Sequence, residues 1–238
     1  MNKTIRLLSF LLLIVFISSC SRSDDETFED PNFLESFDYD QNIFSHDGLK
    51  LTFLITSGTL AAPMKKDLVE NFFVVYPKLK NDFNTKAPVN ITFEIESAIS
   101  SPAYASGSKV TYQSEWLAEH PEDRDIATHE MTHLIQAYNW GNIPWWITEG
   151  IADYTRDKYG ISNAGWTLTP YSEGQNYDNG YRITARFLKW IEVKIKPGFV
   201  KHLDTQCRTG NYSESVWSSF TGKTLQELWT QYKADPTI

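Results

Sequence analysis

The chain has 238 residues, with 22 Lys+Arg against 30 Asp+Glu, a formal net charge of −8 and 41% apolar residues. These proportions suit one globular domain with a tail, and they exclude a collagen-like repeat or a chain disordered throughout. The acidic balance argues against the basic face that nucleic-acid binding needs, and two cysteines, Cys20 and Cys207, are too few for a disulfide framework.

Lys3 and Arg6 precede an almost wholly apolar run from Leu7 to Ile17. The run is too short to span a bilayer comfortably and suits a secretory signal over 1–19. It closes on Ile17-Ser18-Ser19-Cys20, which resembles a bacterial lipobox. That resemblance implies cleavage before Cys20 and lipidation of Cys20, so the expected membrane partner is reached through an N-terminal lipid and Cys207 is left alone. Residues 20–47 read as a lipidated acidic tether, because nine acids and one base, Arg22, fall within 21–47. Ser21-Arg22-Ser23-Asp24-Asp25-Glu26 is similar to the acidic export signals of surface lipoproteins, and a plain spacer is the alternative. The expected location is the bacterial cell envelope, as an outer-membrane lipoprotein, on either its periplasmic or its outer face. Residues 48–238 hold 19 bases and 21 acids, so the acidity belongs to the tether and not to the expected domain.

Within that domain, Leu49, Leu51, Phe53 and Ile55 alternate with polar residues and predict a strand. Met64, Leu68, Phe72, Val75 and Leu79 recur at helical spacing, with a break or kink expected near Pro77. Val89, Ile91, Phe93 and Ile95 predict a second strand, and Lys109 to Gln113 a third near a sheet edge. After Pro121 the chain reads as helices over 122–139, 145–159, 179–195, 198–209, 214–220 and 225–233. Gly160 and Gly210 stand where helix-ending glycines are expected, and Thr224 with Glu227 forms a capping box. The order is a small α/β part followed by a helical C-terminal half, with no repeat.

His129-Glu130-Met131-Thr132-His133 places two imidazoles one turn apart on one helix face, where both can reach one ion. A catalytic zinc site needs a third protein ligand and an open position for water. A metzincin-type third histidine would fall at Asn139 and its glycine at Gln136, so that class is excluded. Glu149, sixteen residues beyond His133, completes a His2Glu set if the helix over 145–159 folds back through a turn at Gly141, Asn142 and Pro144. Glu130 stands beside the ligand face, where it can take a proton from water as general base. Asp153, one turn after Glu149, is placed to orient His129 or His133. Tyr181 is the candidate donor to a developing oxyanion, with Tyr154 and Tyr177 as rivals. Trp190, Trp217 and Trp229 read as core, Trp145 and Trp146 as cleft walls, and Cys207 as a buried small residue. His46, His120 and His202 lack partners at ligand spacing. The long segment 161–180 is a candidate cleft border.

The segments HEMTHLIQAY, WWITEGIADYTR, GYRITARFLKWIE and LQELWTQYK resemble the basic secretory protein family, gluzincin-type peptidases of plants and bacteria. The resemblance runs from about Leu49 to Lys233. It implies zinc on His129, His133 and Glu149, Glu130 as general base, and a peptide or protein substrate. It also implies an α+β, zincin-like fold, with a small mixed sheet packed on the HExxH helix and an edge strand able to bind an extended peptide. The plant members are named for basicity, so substrate preference does not carry over. A monomer is expected. Two other readings remain at this point: a non-catalytic surface lipoprotein that binds glycan or peptide, and a zinc hydrolase of a non-peptide amide.

Overall fold

The computed structural model describes residues 32–139 and 143–238. The expected signal peptide, Cys20 and the turn residues Gly141 and Asn142 lie outside the described residues. Phe33–Ser36 form a short 3-10 helix. Phe37–Ile238 form one compact unit.

Five strands make a mixed sheet in the order β1-β2-β3-β5-β4. β1 (Ile43–His46) and β2 (Leu49–Ile55) form an antiparallel hairpin. Asp47 and Gly48 turn it with φ of 45° and 74°, the paired left-handed geometry that Asp-Gly supplies at little cost. The folded unit therefore begins at Phe37, and the last eleven residues of the segment read as tether belong to it. β3 (Asn90–Glu96) and β5 (Lys109–Gln113) continue the sheet in parallel, and β4 (Ala103–Ser106) closes it antiparallel to β5. The strand expected near a sheet edge at Lys109–Gln113 is β5, one place in from the edge strand β4.

Leu49, Leu51 and Phe53 of β2, Ile91, Phe93 and Ile95 of β3, and Val110 and Tyr112 of β5 are buried. Against them lies α1 (Ala62–Asp82), whose Leu68, Phe72 and Tyr76 are fully covered. Phe72 meets Phe93 edge-on at 5.9 Å. The helix runs unbroken through Pro77. α2 (Ser114–Glu119) is short and ends before Pro121.

α3 (Ile126–Gln136) carries the HExxH motif and is buried on every side except at His133. It touches α1, β4, β5 and α4 (Trp145–Tyr159), and its buried Thr128, His129, Thr132 and Gln136 are hydrogen-bonded. α5 (Tyr181–Trp190) runs into a π-helical turn at Ile191–Ile195. α6 (Phe199–Arg208), α7 (Ser215–Thr221) and α8 (Leu225–Ala234) complete a second core around Phe187, Phe199, Trp217, Trp229 and Tyr232. Trp190, Trp217 and Trp229 are core residues, as expected. The capping box of Thr224 and Glu227 is formed. Gly210 turns left-handed after α6 at φ 74°, whereas Gly160 ends α4 in extended geometry at φ −55° and ψ 139°.

Candidate metal centre and cleft

The facing Nε2 atoms of His129 and His133 are 3.2 Å apart. Glu149 Oε2 lies 3.2 Å from the first and 3.6 Å from the second. A tetrahedral zinc with bonds of about 2.0–2.1 Å has ligand–ligand edges of roughly 3.3 Å, so this triangle fits one ion. His129, His133 and Glu149 are the group of metal-ligating side chains that the described residues bring within 4.8 Å of one another.

The outer nitrogens are held as well. His129 Nδ1 meets Asp153 Oδ1 at 2.7 Å. His133 Nδ1 meets Gln136 Oε1 at 2.7 Å, and Gln136 Nε2 donates to the carbonyl of Thr148 at 2.9 Å. Acceptors at both Nδ1 positions assign the proton there and leave both Nε2 lone pairs facing the triangle. Asp153 thus orients His129, one of the two histidines within its expected reach. Gln136 does the same for His133 and ties it to the turn of α4 that carries Glu149. The sequence reading passed over Gln136, although its spacing of three from His133 on a helix is visible in the chain.

Electrostatics favour a positive charge in this triangle. Burial disfavours an imidazolium at His129, but the bonds to Asp153 and Glu149 outweigh it and raise its pKa. Burial also disfavours a carboxylate at Glu149, yet the two histidines hold its pKa well below the ordinary range. Glu130 is 6% exposed, its Oε2 is buried with no hydrogen-bond partner, and burial raises its pKa. An orphaned carboxylate oxygen beside the triad is the expected state of a group that waits for water or substrate.

Tyr181 opens α5 with φ 46°, a left-handed conformation rare for a bulky residue. Its ring stacks on His129 at 6.3 Å and 17°, and the residue is 52% exposed. Gly180 before it has φ 76°, and a Cβ there would stand 2.4 Å from the Trp145 ring. Thr184 completes the knot, accepting from Gly180 N at 3.0 Å and donating to the Tyr177 carbonyl at 2.6 Å. The rival tyrosines are elsewhere. Tyr154 is buried, and Tyr177 packs on Trp146 and Trp229. Neither expected cleft wall lines the cleft: Trp145 stands 6.1 Å from Tyr181 outside its lining, and Trp146 stacks on Trp217 in the helical core. His120 stacks on Trp116, His202 on Phe220, and Cys207 is buried.

His129, His133, Glu149, Glu130, Asp153 and Tyr181 border a cleft of about 500 Å³ whose lining runs from Pro102–Ala105 at the β4 edge to Trp166 and Arg182. The segment 161–180 thus contributes Trp166 to the wall. Its start is stapled to the N-terminus of α3. Asp125, fully buried, accepts the backbone N–H groups of Ile161, Ser162 and Asn163 at 3.0, 2.7 and 2.6 Å. Thr128 and Asn71 donate to the same carboxylate at 2.9 and 2.7 Å.

No curated protein matches the chain. The model of a family described as BSP, peptidase of plants and bacteria, matches residues 62–232, from α1 to α8, and spans the whole triad. With most of its length matched, the chain belongs to this family of peptidases, the basic secretory protein family.

Proposed function

We propose that the protein is a zinc-dependent peptidase of zincin-like fold, held at the bacterial envelope by a lipid on Cys20. The observation that carries the reading is the His129–His133–Glu149 triangle with the buried, unpartnered Glu130 beside it. The five-stranded mixed sheet with its edge strand β4 against the HExxH helix supports the zincin assignment.

His129, His133 and Glu149 would hold the zinc. When bound, the ion supplies Lewis acidity, which acidifies water and polarises the scissile carbonyl. Glu130 takes the proton of the attacking water and returns it to the leaving amine. Its burial raises its basicity, so it suits this exchange. The Tyr181 hydroxyl donates to the carbonyl oxygen as negative charge develops there. Asp153 and Gln136 keep the two imidazoles in register. The edge of β4 offers backbone groups to an extended peptide. Binding alone would have no use for a buried carboxylate without a partner, which disfavours a purely adhesive lipoprotein.

The test is metal analysis of the full-length protein purified from membranes in detergent, with cleavage of a mixed peptide library measured with and without a chelator. Stoichiometric zinc and chelator-sensitive cleavage are expected, and Glu130→Ala should keep the zinc and lose the activity. Zinc-free protein or chelator-insensitive cleavage overturns the reading. Zinc without peptide cleavage points to a non-peptide amide. The anchoring is checked by fractionation, where Cys20→Ser should move the protein from the membrane to the soluble fraction.

A further inference from the structure

Two arginines line the cleft beside the metal triangle, and they differ in state. Arg156 is buried and neutralised. Its Nη2 donates to Asp123 at 2.6 Å, and its Nε donates to Asn163 at 3.3 Å. Arg182 is exposed and makes no ion pair among the described residues. Both guanidinium groups lie on the Trp166 ring, Arg156 at 4.4 Å and Arg182 at 5.0 Å from its centroid. Apart from His129 and His133, which face Glu149, the other ionisable side chains of the cleft are Asp123, Glu130, Glu149 and Asp153, all acidic. Arg182 is therefore the cleft cation that lacks a carboxylate.

Its position is fixed from two sides. Tyr181, the residue before it, stacks on the metal-facing His129. Trp166 lies under its guanidinium on a segment pinned by Asp125. A guanidinium resting on an indole loses little freedom when it binds, and its planar fork matches a carboxylate with two parallel hydrogen bonds. A cation placed only to hold the segment would be redundant, since Arg156 already occupies the same ring and Asp125 already holds the backbone.

We propose that Arg182 and Trp166 form a carboxylate-recognising subsite, so that the enzyme favours peptides presenting a carboxylate near the scissile bond. The carboxylate can belong to an acidic side chain or to a free C-terminus. The proposal deepens the peptidase reading above and rests on it.

The experiment uses the full-length zinc-loaded protein and four randomised peptide pools. The pools contain either Glu or Gln, and each is made with a free or an amidated C-terminus. The wild type is expected to cleave the carboxylate pools about ten- to a hundredfold faster than the fully neutral pool. Arg182→Gln should collapse that ratio towards unity, and Arg182→Lys, which keeps the charge without the fork, should retain part of it. The favoured pool identifies the source, side chain or terminus. Thermal melts confirm that the variants remain folded. Binding of the same pools to Glu130→Ala protein, followed by calorimetry, gives a readout independent of turnover. No carboxylate preference in the wild type, or a preference undiminished in Arg182→Gln, overturns the subsite and leaves the peptidase reading standing. Carboxylate-selective binding through Arg182 without cleavage of any pool overturns the peptidase reading and leaves the subsite.

Discussion

At the scale of single residues, the two candidate ligand histidines are held by different chemistry. His129 leans on a carboxylate that is 4% exposed, and His133 on an amide relayed to the Thr148 carbonyl. A carboxylate raises imidazole basicity more than a neutral amide does, so the two supports contribute unequally to metal affinity. Asp153→Asn should weaken zinc binding by about 10–100-fold. Gln136→Leu should weaken it less, and competition with a fluorescent chelator measures both. Equal losses would show that charge is irrelevant to the support. The role proposed for Tyr181 belongs to a later stage. Tyr181→Phe should lower kcat by about a hundredfold with KM little changed, the pattern of an interaction made in the transition state. A raised KM at unchanged kcat would make Tyr181 a substrate-binding residue instead.

At the scale of elements, Asp125 joins the HExxH helix to the cleft wall. It stands at the N-cap of α3, yet its side chain makes no cap bond, because the carboxylate is spent on the 161–163 backbone. Burial alone would raise its pKa, but the three backbone N–H groups and Thr128 stabilise the charged form and bring it below the ordinary value. A depressed carboxylate contributes stability above its unfolded pKa of about 4, and that contribution is lost as pH falls through the lower folded value. Asp125→Asn should therefore cost on the order of 3 kcal/mol near neutral pH, with the gap to wild type closing in acid below about pH 4. Urea unfolding across that range measures it, and a gap independent of pH would contradict the account. Such a contact is not legible in the sequence, since Asp125 and Ile161 are linked only by the way α4 returns alongside α3. What was legible follows a local period. The 3.6-residue spacing marks α1 and α4 to α8, and the 129–133 spacing with Glu149 marks the ligands. β4 reads Ala-Tyr-Ala-Ser and has no apolar alternation, so the sequence does not reveal the edge strand beside β5. β1 was lost in an acidic stretch although Asp47-Gly48 announces a hairpin. Arg182 gave no signal at all, because its meaning depends on which acids are already paired.

At the scale of the molecule, two cores meet at the metal triangle. The sheet, α1 and α3 supply the histidines. α4 supplies Glu149 and is keyed into the helical half, where Trp146 stacks on Trp217 at 6.0 Å. Gly150 lets α5 approach closely, since a Cβ there would stand 2.3 Å from Thr184 Cγ2. A bound ion would thus join side chains from both halves and leave fewer unbalanced carboxylates between them. Removing it should lower the melting temperature by on the order of 10 °C, as expected for loss of a tight ligand from a domain of this size. Calorimetry before and after chelation, with zinc restored as a control, tests this. An unchanged transition would mean that the halves hold together without the ion.

The segment 161–180 has a kinetic consequence. It is pinned at 161–163 by Asp125, at Tyr171 by edge-on packing against Trp229 and Tyr232, and at Gly180 by Thr184. Between the last two anchors lie residues 172–179, exposed at Ser172–Gly174 and turned into a 3-10 helix at Tyr177–Asn179. A segment fastened at three points is a wall and not a door. On the proposed peptidase reading, substrate arrival and product departure would have no opening step to wait for, and turnover would be governed by bond cleavage and by how firmly the cleft grips each peptide.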